Sequence, residues 1–161
     1  MFDPTTLTGI HTLLSLVAIA AGFIVLPGLL GGRATPFWTG LFLPTAIATD
    51  VTGFMFPFDR FIESHWTGIA SLVVLAAVLA GRWVFGLGGA WRRIYAAGMV
   101  LTLYFLVFVG VAQLFRKVPA LAQMAPTLAE PPFLVSQVVV LLLFIVLAVA
   151  AARGFRGARR R

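Results

Sequence analysis

His11, His65 and Asp50 are the residues of this chain whose types could do chemistry inside an otherwise apolar protein. Two neutral imidazoles on two helices can serve as axial ligands of one b-type haem. Gly22 and Gly68 would give a porphyrin room beside them, although glycine in membrane helices more often permits close packing. The plainer reading makes His11 a packing residue bonded to Ser15 and His65 a helix-start residue beside Ser64. An ionised Asp at the centre of a bilayer costs about 2.5–3.5 kcal/mol on insertion scales, so Asp50 requires a partner, a proton or a water-filled recess. It is expected either to bond Thr49, Thr52 or a neighbouring helix, or to handle a proton or cation. A second set of candidates, Arg116, Lys117 and Glu130, bounds a proline-bearing stretch read as an external loop and contact surface.

Other chemistries lack their residues. There is no cysteine, which removes disulfides, thiolate metal sites, thiol nucleophiles and covalently attached haem. Gly86-Leu-Gly88-Gly89 follows an apolar run rather than a strand in a βαβ unit, so it is not read as a nucleotide loop. No zinc-protease helix motif, P-loop or nucleophile elbow occurs, and an enzyme is not expected.

What must position the candidate residues follows from composition. Of 161 residues, 61% are hydrophobic and 11% charged, against about 45–50% and 25% in soluble domains. Such a chain is expected to take the bilayer as its solvent. Helices are expected rather than barrel strands, because runs such as Ser71-Leu-Val-Val-Leu-Ala-Ala-Val-Leu-Ala80 are apolar on every face. About 20 apolar residues cross a core of about 30 Å, and five segments reach that length: 8–30, 37–58, 66–87, 92–115 and 133–153. The first lacks a basic leader and is read as a retained span. The expected architecture is therefore all-α, a single membrane domain of about five transmembrane helices. Pro27 and Pro44 lie within spans, and Glu130 or Pro131 is expected to open the last helix. Ser15 to Ala21 resembles Ser71 to Ala77, which suggests two repeated hairpins followed by a fifth helix.

Charge sets the expected orientation. Arg33, Arg82, Arg92, Arg93, Arg153, Arg156, Arg159, Arg160 and Arg161 fall on one side, and Arg60, Arg116 and Lys117 on the other. The positive-inside rule puts the larger group in the cytoplasm and the N-terminus outside. On this reading the first and third helices run outside to inside and the second returns, so the two histidines and Asp50 are expected at similar depth. Trp38, Trp66, Trp83 and Trp91 sit near span ends as interfacial anchors. The net charge of +7 is concentrated in a juxtamembrane tail suited to anionic lipid heads rather than to nucleic acid.

The chain resembles a family of small bacterial multi-pass membrane proteins of about this length that has no assigned activity. The resemblance rests on His11-Thr-Leu-Leu-Ser-Leu16, Trp38-Thr-Gly-Leu-Phe42, Val51-Thr-Gly-Phe-Met-Phe-Pro-Phe58, Ser64-His65, Ala90-Trp-Arg92, Lys117-Val-Pro-Ala-Leu121, Ala125-Pro-Thr127 and Glu130-Pro-Pro-Phe133. It covers nearly the whole chain and implies a bacterial inner-membrane location without implying a ligand. The family pattern has a small hydroxyl residue where Asp50 stands, which favours His11 and His65 over Asp50 as shared functional groups. The expectation is a non-catalytic accessory or structural subunit that binds other membrane proteins or itself through apolar helix faces. A haem electron-transfer protein and a small proton-coupled or cation transporter are the alternatives.

Overall fold

The computed structural model describes residue 3 and residues 5–56 and 63–155, apart from the side chains of 63–65. It is an all-helical membrane bundle. The elements are α1 (Leu7–Leu30), α2 (Pro36–Phe54), α3 (Glu63–Leu79), a π-helical turn (Ala80–Val84), α4 (Trp91–Lys117), a short α5 (Pro119–Met124) and α6 (Pro131–Gly154). Their ends follow local chemistry. Thr6 caps α1 by accepting from the Gly9 N–H at 3.1 Å. At the far end Gly32 adopts φ +70, and the Arg33 N–H returns to the Gly28 carbonyl at 2.8 Å. Pro36 and Pro131 occupy the first turns of α2 and α6, where a missing N–H costs nothing. Glu130 is the residue that precedes α6, as expected.

Among the described residues, four helices are long and apolar enough to cross a membrane: Leu7–Leu30, Trp66–Val84, Trp91–Lys117 and Pro131–Gly154. The fifth expected span, α2, falls outside that group because two prolines, Asp50 and four threonines dilute its apolar content. Packing nevertheless carries it alongside α1. A Cβ built on Gly22 of α1 would lie 2.9 Å from the Phe42 ring, and His11 meets Thr52 at 2.9 Å. The two helices are therefore antiparallel over most of their length, and the 19 residues of α2 rise about 28 Å. The helix stops at Phe54 rather than at the expected 58. Pro57 disfavours helical backbone at Phe56, and Pro57 itself lies outside the described residues.

The same logic pairs α3 with α4 and α4 with α6. Val78 sits over Gly98, and Phe144 and Phe155 approach Tyr104 and Tyr95 at ring distances of 5.8 and 5.6 Å. The chain thus runs up and down through two antiparallel hairpins with α6 laid against α4 and α1. The first hairpin turn is short; the second uses positive φ at Gly86 and Gly89 and is closed by Phe85 stacked on Trp91 at 4.0 Å. Apolar burial between helices gains little in lipid, so contact quality holds the bundle. Its centre is filled by Phe42, Leu75, Tyr95, Met99 and Leu103, all at 2% exposure or less. Alanines 18, 21, 46, 96 and 151 are buried at the crossings and let the backbones approach.

Candidate functional site

The His11 ring lies on the face of α1 turned to α2. Its Nδ1 is 2.9 Å from Thr52 Oγ1, while that hydroxyl donates to the Ala48 carbonyl at 2.7 Å. The threonine proton is committed to its own helix, so a neutral His11 donates from Nδ1–H and keeps its lone pair on Nε2. Phe56 packs edge-on against the ring at 5.3 Å. Ser15, the partner expected from the sequence, donates to the His11 backbone carbonyl at 2.7 Å rather than to the imidazole.

Asp50 lies at a similar depth but on the other side of α2. Two residues along a helix turn about 200°, so Thr52 faces α1 while Asp50 faces α3. There the Ser71 hydroxyl, buried at 2% exposure, hydrogen-bonds the carboxyl group. Its Oδ2 is buried and meets no hydrogen-bond partner among the described residues. Thr49 and Thr52 do not serve it; their hydroxyls donate to Thr45 and Ala48 carbonyls one turn back. The sequence did not single out Ser71. The available signal was helical spacing, which puts the small Gly68 and Ser71 on one face with Leu75 and Val78, a face that packs against α2 and α4.

His65 belongs to the first turn of α3, and its side chain lies outside the described part of the structure. The principal neighbours of α1 are α2, α4 and α6, whereas those of α3 are α2 and α4. His11 and His65 therefore stand on helices that flank α2 rather than on a facing pair. The two glycines considered as porphyrin space are occupied: a Cβ on Gly22 would meet Leu103 at 2.6 Å, and one on Gly68 would meet the Phe54 ring at 3.0 Å. Both permit close packing and leave no slot for a macrocycle at their positions.

The stretch from Arg116 to Pro132, read as a loop, contains α5, which Pro119 opens after the extended Val118. Arg116 and Lys117 form the exposed last turn of α4. Glu130 turns back and accepts from the Thr127 hydroxyl at 2.8 Å and from the Ala129 N–H at 3.1 Å. Desolvation opposes its ionisation, but these bonds together hold its carboxyl below the ordinary carboxylate value. Phe115, Ala125 and Phe133 form a small buried cluster under this connection, so its surface is ordered by a core of its own.

The opposite end of the bundle collects Arg33, Arg82, Arg92, Arg93 and Arg153. Arg82 donates to the Tyr95 hydroxyl at 3.4 Å and lies 5.4 Å from the Trp83 ring centre. Tyr95 also hydrogen-bonds Thr39, tying α2, α4 and the π-helical turn together. Arg156, Arg159, Arg160 and Arg161 lie outside the described residues.

No family model, curated protein or solved structure matches the chain.

Proposed function

We propose that the protein is a non-catalytic accessory or structural subunit of a bacterial inner membrane, docking membrane proteins or a second copy of itself through α6. The observation that carries this reading is the outer face of α6. Val135, Val139, Leu142, Val146 and Val149 are 44–65% exposed and repeat at alternating spacings of four and three. That is the seam along which helices pair at a shallow left-handed angle. Four of the five are valines, whose branched, stiff side chains form a compact ridge. The packed centre of the bundle supports docking over passage, since Phe42, Leu75, Met99 and Leu103 fill the space between the hairpins. The arginine-rich end belongs in the cytoplasm by the positive-inside rule, with its basic tail at anionic lipid heads.

The chain has no cysteine, so single cysteines at the five seam positions can be crosslinked in native membranes. Crosslinked species are expected to peak at the seam and to fall at Val138 and Leu143. Absence of any crosslink, together with a strictly monomeric mass in mild detergent, would overturn the reading. One observation favours a second reading, proton or cation handling: the buried Oδ2 of Asp50, which meets no hydrogen-bond partner among the described residues. Flux in proteoliposomes that is abolished by Asp50→Asn would establish it, and unchanged flux would remove it.

A further inference from the structure

A groove of about 370 Å³ runs between α3 and α6 over α4. For scale, an apolar protein cavity of about 150 Å³ takes up benzene. The groove is lined by small residues, Ala77, Ala97, Gly98 and Ala148, and by larger ones, Ile94 and Leu101. It occupies only one half of the bundle's height. From Ile94, one turn into α4, to Tyr104, near the helix midpoint, the rise is about 15 Å, half of a hydrocarbon core of about 30 Å. At the deep end Tyr104 is surrounded by Phe105, Phe108 and Phe144 at ring distances of 5.5–5.9 Å. Beyond it α4 and α6 close on each other through Gln137 and the Phe108 carbonyl and through Phe115 and Phe133.

The shallow end carries charge. Arg93 is exposed, directly before Ile94 and one turn before Ala97, and no hydrogen bond or ion pair among the described residues engages its guanidinium. Helical side chains lean toward the N-terminus, which at this end of α4 directs Arg93 to the headgroup level. A partner helix would need a groove as long as the bilayer is thick. A slot one leaflet deep, blocked by an aromatic group and headed by a cation, has the dimensions and polarity of one phospholipid chain with an anionic head.

We infer that the α3/α4/α6 groove binds one acyl chain of an anionic phospholipid whose phosphate is held by Arg93. The test is native mass spectrometry of the full chain titrated with phosphatidylglycerol and with phosphatidylcholine of identical chains. Phosphatidylglycerol is expected to saturate at one tightly held copy per chain, with phosphatidylcholine weaker. Arg93→Gln should weaken phosphatidylglycerol about fivefold and phosphatidylcholine by less, because choline already offsets the charge of its phosphate. Ala97→Leu with Ala148→Leu should abolish retention of both lipids; Arg93→Gln fills no space and gives an independent reading should that pair disturb folding. Equal, non-saturating retention of both lipids would mean unselective boundary lipid and overturn the site. So would loss that follows neutralisation of Arg156, Arg159, Arg160 and Arg161 rather than of Arg93, or a dimer that the filling pair abolishes and no lipid displaces.

Discussion

Within the bundle, close packing outweighs the polar contacts in energy, although the polar contacts draw attention first. The His11–Thr52 bond joins two helices, but interhelical hydrogen bonds in membrane proteins average about 0.6 kcal/mol. Gly22 sits where Leu103 and Phe42 leave no room for even a methyl group, and overfilling a packed core costs about 1–3 kcal/mol. Gly22→Leu should therefore destabilise the protein severalfold more than Thr52→Val in detergent unfolding. Equal losses would mean that the polar contact carries the hairpin. Asp50 poses the opposite question, because Ser71 hydrogen-bonds its carboxyl group while its buried Oδ2 has no partner among the described residues. Asp50→Asn preserves an acceptor for Ser71 and removes any cost of holding a charge away from water. The substitution is expected to leave the unfolding temperature unchanged or raised. A clear fall would reveal a charge partner that the described residues do not contain.

At the level of elements, the helices were readable from the sequence where apolar length alone specifies a span. The expected 8–30, 92–115 and 133–153 differ from α1, α4 and α6 by no more than two residues at either end. Reading was poorer where local backbone chemistry intervenes. The third span was expected to run to 87 as one helix, but its last turn before the glycine pair loosens into a π-helical turn, Ala80–Val84. The stretch after Lys117 has the pattern of a loop in the sequence because its six helical residues are too few to show a periodicity, although Pro119 is the start signal. At the candidate site the depth of His11 and Asp50 was inferable from helix direction, but their separation by α2 was not. That required knowing that positions 50 and 52 face different neighbours. Glu130 belongs to this scale because it organises a whole connection. Its folded-state value lies below the ordinary 4.5, so its contribution is complete above that value and disappears as pH falls through the lower folded one. Exchange of the Thr127 and Ala129 amides should accelerate, beyond the intrinsic pH trend, only as pH falls below that ordinary value. Glu130→Gln should remove that step, and a step of equal size in the variant would assign it elsewhere.

For the molecule as a whole, charge asymmetry and helix order constrain each other. Arg33, Arg82, Arg92, Arg93 and Arg153 meet at the end formed by the C-termini of α1 and α6 and the N-termini of α2 and α4. Arg116 and Lys117 stand at the other end with Asp3 and Glu130. That grouping depends on α2 crossing beside α1. If α2 lay on the surface instead, Arg33 would share an end with Arg116, and the antiparallel contacts of Gly22 with Phe42 and of His11 with Thr52 would be lost. The orientation proposed here makes the two ends distinguishable in living cells. A cysteine at Gln123 on exposed α5 should react with a membrane-impermeant maleimide in intact cells. A cysteine at Arg33 should react only after the membrane is opened. Labelling of both sites from outside would remove α2 as a span. The reverse pattern would keep all five helices crossing and invert the protein, placing its arginine-rich end and the headgroup of the proposed lipid in the outer leaflet.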